Sequence, residues 1–207
     1  MTRVAVAVMG IAILCAQAGA EPVAPAVELV HGLQTGQVWA QFWGGGDMGV
    51  NGLIGRGDDG PGEVIIRPGT QFWAQTGGRQ GQTSLGRSSV NLSGQNYRQV
   101  WIPTACTNIN LRAPTQSDVM VASPCPNEDM ERLSRSLVFS DAPRPMVQVA
   151  VWAVANDPRP TDMRLKRYIT QQARRSRGAL TPPDIIDGAA ALLLDARLSP
   201  ESYRMFR

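Results

Sequence analysis

Turn-forming clusters interrupt residues 26–123 at strand-length intervals, and this punctuation restricts the possible folds more than any other feature of the chain. Gly44-Gly45-Gly46, Asp58-Asp59-Gly60-Pro61-Gly62, Pro68-Gly69, Gly77-Gly78 and Ser93-Gly94-Gln95-Asn96 each break a helix before it can propagate. Between them lie short runs suited to extended backbone: 26–33, 37–43, 49–56, 63–67, 70–75, 88–92, 97–102 and 119–122. Val38, Ala40 and Phe42 alternate with more polar neighbours, as do Val64 and Ile66. Strand-length runs at this spacing predict an immunoglobulin-like antiparallel β-sandwich.

The texture changes at Ser123-Pro124-Cys125-Pro126-Asn127. Asn127 suits a helix N-cap, with Glu128 and Asp129 in the first turn where carboxylates complement the dipole. Met130, Leu133, Leu137 and Val138 then fall at helical spacing. Pro145 opens a second helix over 146–155, apolar on every side except at Gln148, a composition that requires burial. A third, basic helix is predicted over 164–177, ended by Gly178, and a fourth starts at Thr181-Pro182. The expected organisation is mainly β with a C-terminal α segment: a sandwich domain over 21–123, and a helical segment over 124–207 packed on it.

Residues 1–20 read as an export signal. Arg3 precedes an apolar run over 4–14, and Ala18-Gly19-Ala20 supplies a small-residue cleavage site. The run is shorter than the roughly 20 residues of a helical membrane span, an uncleaved anchor being the alternative. Leu14 before Cys15 departs from the small residue that precedes a lipid-acceptor cysteine. The chain is therefore expected in the periplasm or outside the cell, with no transmembrane span after cleavage. Its expected partner is a protein or an envelope component, and not nucleic acid.

Among 207 residues there is one histidine, His31, and one lysine, Lys166, so the 20 basic side chains are nearly all arginine. Beyond the leader only three His and Cys groups remain, too few for an ordinary zinc site. Asp58-Asp59 lacks the extended loop and closing Glu of an EF-hand and reads as an acidic turn. No cofactor motif is present, so neither a metal nor a cofactor is expected. Cys106 and Cys125 carry the remaining chemistry. In an oxidising compartment they would pair as a disulfide. A cysteine hydrolase would need His31 beside one of them, and no flanking signature marks such a pair. A Lys–Asn crosslink would need Lys166, which falls in a helical segment rather than a strand.

Three stretches suggest another use of Cys106. They are Val100-Trp101-Ile102-Pro103-Thr104-Ala105-Cys106-Thr107-Asn108-Ile109-Asn110-Leu111, Ala113-Pro114-Thr115, and Val147-Gln148-Val149-Ala150-Val151-Trp152. Together with Pro68-Gly69-Thr70 and the aromatics Phe72 and Trp73, they resemble secreted bacterial proteins that join a β-sandwich to a helix bearing Gln-x-x-(Ile/Val)-Trp. The glutamine element is also similar to that of Gram-positive thioester adhesin domains. That resemblance implies an internal thioester between Cys106 and Gln148, with Trp152 one helical turn on and helping to exclude water. The sequence departs from those domains around the cysteine, where Thr104-Ala105 stands in place of an aromatic flank, and Cys125 offers a competing partner. A core glutamine bonded to backbone is the other reading of Gln148.

Arg164, Lys166, Arg167, Arg174, Arg175 and Arg177 form a basic run with no acidic residue between Asp162 and Asp184. It reads as a solvated helix face, with an envelope contact as the alternative. Trp39, Trp43, Trp73 and Trp101 suit cross-strand packing better than a carbohydrate platform. The sequence thus leads to a non-enzymatic interaction module. A covalent binding domain using Cys106 and Gln148 is the alternative, and a cysteine hydrolase the remote one.

Overall fold

A computed structural model of the chain describes residues 25–207. The leader expected over 1–20 lies outside the described residues. In chain order the elements are β1 (Ala26–Glu28), α1 (Leu29–Thr35), β2 (Val38–Gly44), β3 (Gly49–Arg56), β4 (Glu63–Ile66), β5 (Gln71–Ala74), β6 (Gln82–Ser84), β7 (Ser88–Asn91), β8 (Tyr97–Cys106) and β9 (Val119–Ser123). Then follow α2 (Glu128–Ser136), α3 (Arg144–Asn156), α4 (Met163–Arg175) and α5 (Pro182–Asp195), with short 3-10 turns after α2 and α5.

The β half is a closed barrel and not the immunoglobulin-like sandwich its pattern predicts. Its strands run β2-β3-β8-β6-β5-β9, and β9 returns to β2 through Phe42↔Met120 and Trp43↔Val119. A smaller three-stranded sheet, β1-β4-β7, lies outside this ring, with β1 parallel to β4. Sandwich and barrel share the same alternation and turn spacing. They differ in whether the last strand meets the first, which is a contact across some 77 residues that no local pattern encodes. Even-numbered residues of β3 face inward, where Gly52 leaves room for the Phe42 ring. Phe42, Val50, Ile54, Phe72, Ile102 and Met120 fill the interior, with Phe42 edge-on to Phe72 at 5.1 Å.

Two local readings also change. The run 26–33 is not one strand, because the Glu28 carboxylate accepts from the backbone N–H of Val30 at 3.1 Å and His31 at 2.9 Å and so caps α1. β6 has no apolar alternation at all, since its three residues, Gln82, Thr83 and Ser84, are buried polar side chains.

A second core belongs to the helices. Val147, Val149, Ala150, Val151, Trp152 and Ala153 of α3 are all buried, clasped by Leu133 of α2, Leu165 and Ile169 of α4, and Ile185, Ala189 and Leu193 of α5. Ala105 at the end of β8 and Ile109 belong to the same cluster, so the helical layer is seated on the end of the barrel. Among the described residues no helix is long and apolar enough to cross a membrane.

The expected disulfide is absent: Cys106 and Cys125 are both free thiols. Cys106 ends β8, while Cys125 follows β9, and β6 and β5 stand between those strands in the barrel. Three interstrand steps of roughly 4.8 Å exceed the Cα separation a disulfide tolerates. The Cys125 thiol instead sits over Gly69 and donates to the Asn127 carbonyl at 3.2 Å.

Candidate functional site

β3 stops pairing with β8 at Gly49↔Pro103, and the Thr104 N–H makes one further bond to the Met48 carbonyl at 3.1 Å. Two residues on, Cys106 presents its N–H and C=O along the same edge, where no strand remains to receive them. Gln148 of α3 takes that place. The Cys106 N–H donates to Gln148 Oε1 at 3.0 Å, and Gln148 Nε2 donates to the Cys106 carbonyl at 2.7 Å. A side-chain amide thus continues the ladder that β3 abandons. Cys106 is 1% exposed and Gln148 3%, so these backbone groups have no water to fall back on. On the other edge Gln82 of β6 pairs in register with Cys106; its Nε2 donates to the Gly46 carbonyl at 2.8 Å and lies 4.0 Å from Sγ.

Arg144, Gln148 and Trp152 recur every fourth residue and share one face of α3. Gln148, Trp152 and Cys106 line a cavity of about 670 Å³ that is bounded also by Asp47, Gln80, Ile109 and Arg112, and by Arg164, Arg167, Tyr168 and Gln171 of α4. Trp152 meets Tyr168 edge-on at 4.7 Å. The Trp152 indole N–H is buried and has no acceptor among the described residues.

Burial governs the electrostatics of this site. It pushes the Cys106 thiol up to about 12, with the Asp47 carboxylate adding to the rise and Arg144 and Gln82 opposing it. At neutral pH the sulfur is therefore a thiol. Burial likewise raises the Tyr168 hydroxyl and presses the Arg144 guanidinium below its usual range. Arg144 is fixed by donating through Nη2 to the backbone carbonyl of Asp47. Cys125 is also raised, by burial first, against its bond to Asn127 and with a lesser push from Glu131.

Cys106 and Gln148 share the cavity wall, and the Gln148 carbonyl already accepts one backbone N–H, that of Cys106. That donor polarises the amide carbon and is positioned to hold an oxyanion formed there. Among the described residues no three His, Cys, Asp or Glu side chains converge as metal ligands.

The remaining sequence candidates separate. Of the basic run, Arg164 and Arg167 reach the cavity, whereas Lys166 lies round the helix beside a groove lined by Leu165 and Ile169. Arg174 and Arg175 are exposed in the last turn of α4, and Arg177 follows the helix with a φ of 52°. His31 and Cys125 both line a second groove of about 250 Å³, but no hydrogen bond joins them. Trp39, Trp73 and Trp101 are half-exposed on the barrel wall, each covering a glycine: Gly55, Gly81 and Gly49 respectively. That is cross-strand packing in which the indole fills the space of a missing side chain.

Arg144, Tyr168, Asp47 and Gln82 belong to the site and were not singled out by the sequence pattern. The helical period could have found two of them. Arg144 is one turn before Gln148, and Tyr168 shares the face of Arg164 and Gln171. Asp47 and Gln82 carry no such signal, since only the barrel closure brings them near Cys106. Comparison with protein-family models, with curated proteins and with solved structures finds no match to this chain.

Proposed function

We propose that this chain is a non-enzymatic binding module that captures its partner covalently through an internal Cys106–Gln148 thioester. The observation that carries this reading is the pairing of the Gln148 amide with both backbone groups of Cys106 in the wall of an open cavity. In the bond-forming step Cys106 Sγ attacks Gln148 Cδ, the C–S bond forms and the C–N bond breaks. Ammonia leaves with the proton of the thiol. The Cys106 N–H at Oε1 stabilises the developing oxyanion, and the Cys106 carbonyl orients the departing nitrogen. The Gln-x-x-Val-Trp element at 148–152 supports the same reading by resemblance. Trp152 and Tyr168 shield the site from bulk water, as a stored acyl group requires. The cavity gives the partner's nucleophile its approach.

Peptide mapping of the denatured chain tests this reading. The expected result is one fragment in which the Cys106 and Gln148 peptides are joined with loss of ammonia, separated again by methylamine. Two separate peptides, with an intact carboxamide and both thiols open to alkylation, would overturn it.

A further inference from the structure

The wall of the Cys106 cavity carries three arginines, Arg112, Arg164 and Arg167, against one carboxylate, Asp47. A fourth guanidinium, that of Arg144, stands close enough to act electrostatically on Cys106 and Tyr168. Arg79, whose backbone bridges to Arg112, is neutralised by Asp118 at 3.2 Å. Among the described residues none of the four site arginines has such an ion pair. Arg164 donates to the Asn110 carbonyl, which holds its guanidinium at the cavity without cancelling its charge. The Trp152 indole N–H, in the same wall on a residue only 6% exposed, lacks an acceptor among the described residues.

Guanidinium forks and an indole N–H are donors only, so they favour an acceptor-rich anion. A concave surface lined by one sign of charge also focuses its field and concentrates the opposite charge. We propose that this cavity selects a nucleophile carrying its own anionic group, a phosphate or carboxylate close to a primary amine or hydroxyl. The proposal rests on the thioester reading for its covalent step and on the arginines for its selectivity. With an amine, nitrogen attacks Gln148 Cδ, the amide C–N bond forms and the C–S bond breaks. The sulfur leaves as the Cys106 thiol, taking the proton that the amine releases.

The test uses the full chain and two readouts. In the first, O-phosphoethanolamine, β-alanine and ethanolamine are offered at low ionic strength and adducts are followed by intact mass. An anionic amine is expected to add at least about tenfold faster than ethanolamine. That preference should collapse in the Arg164→Gln/Arg167→Gln double variant and in high salt, and persist in Lys166→Gln, which removes a positive charge from another side of α4. Equal rates for all three amines would overturn the selectivity and leave the thioester standing. The second readout needs no thioester: inorganic phosphate is titrated in while the Trp152 indole N–H is followed by NMR, assigned with Trp152→Phe. A saturable shift that the double variant loses is expected, and no saturable shift would overturn the proposal whether or not the bond forms.

Discussion

Gln148 closes both hydrogen bonds of its carboxamide on a single residue, accepting from the Cys106 N–H at 3.0 Å and donating to the Cys106 carbonyl at 2.7 Å. The two residues are 42 positions apart, and the contact joins the last residue of β8 to the middle of α3. It is a structural clamp between barrel and helices, and the proposed thioester rests on it.

As a clamp, the contact has a measurable weight. Gln148→Ala leaves two buried backbone groups of Cys106 unpaired, at about 1–3 kcal/mol each. Measured in a Cys106→Ala background, where the carboxamide stays intact, urea unfolding should show a loss of about 2–6 kcal/mol, and a loss under about 1 kcal/mol would mean that water or a neighbour replaces the amide.

The raised Cys106 thiol makes stability depend on pH in the alkaline range. In a chain that holds Cys106 as a free thiol, the folded group stays protonated up to about 12, whereas the unfolded one ionises near 9.0. Between those values the folded state binds more protons, so stability falls as pH rises, by roughly 4 kcal/mol across the interval. Gln148→Ala should show this fall in denaturation midpoints between pH 9 and 12. The thioester-bearing chain has no Cys106 thiol to ionise and should show a smaller fall, the part left by the raised Cys125 thiol and the raised Tyr168 and Tyr203 hydroxyls.

Trp152 bears on both packing and protection. Trp152→Ala empties a buried aromatic site and removes the edge-on contact to Tyr168, at a cost of about 3–5 kcal/mol. The same change admits water to Gln148 Cδ, so mass spectrometry should show faster hydrolysis of the thioester than in the parent chain. Unchanged hydrolysis would remove Trp152 from the shielding role.

The glycines beneath the barrel tryptophans are also testable. A Cβ at Gly49 would stand 2.5 Å from the Trp101 ring, and one at Gly55 would collide with Trp39. Gly49→Ala and Gly55→Ala should displace the indoles, shift tryptophan fluorescence and lower stability by about 1–3 kcal/mol. Gly77→Ala, where a Cβ meets nothing within 4 Å, should leave both unchanged.

Local chemistry was readable in the sequence wherever one element carried it. The α3 stretch around Gln148 is apolar on all sides, and it is buried as such a helix must be. Val38, Ala40 and Phe42 do line one side of β2 while Trp39 and Gln41 face out. Barrel closure was not readable, because Phe42↔Met120 lies far apart in the chain and the alternation of each strand fits either architecture. The same closure separates Cys106 from Cys125, which an oxidising compartment and the lack of any other cysteine beyond the leader had suggested as partners. The helix divides the basic run: α4 turns Lys166 away from the cavity while Arg164 and Arg167 line it. The pairing of Cys106 with Gln148 was suggested by resemblance, and the hydrogen bonds that bring them together involve backbone groups that no sequence pattern displays.

The intact mass of the denatured, unreduced full chain tests the thioester most directly. The account predicts a mass lower than that of the unmodified chain by one ammonia, with Cys106 refusing alkylation and Cys125 accepting it, and a gain of one methylamine on exposure to that amine, which leaves the chain heavier than the unmodified form by one CH2. A mass equal to that of the unmodified chain, with Cys106 and Cys125 both alkylated, would contradict it.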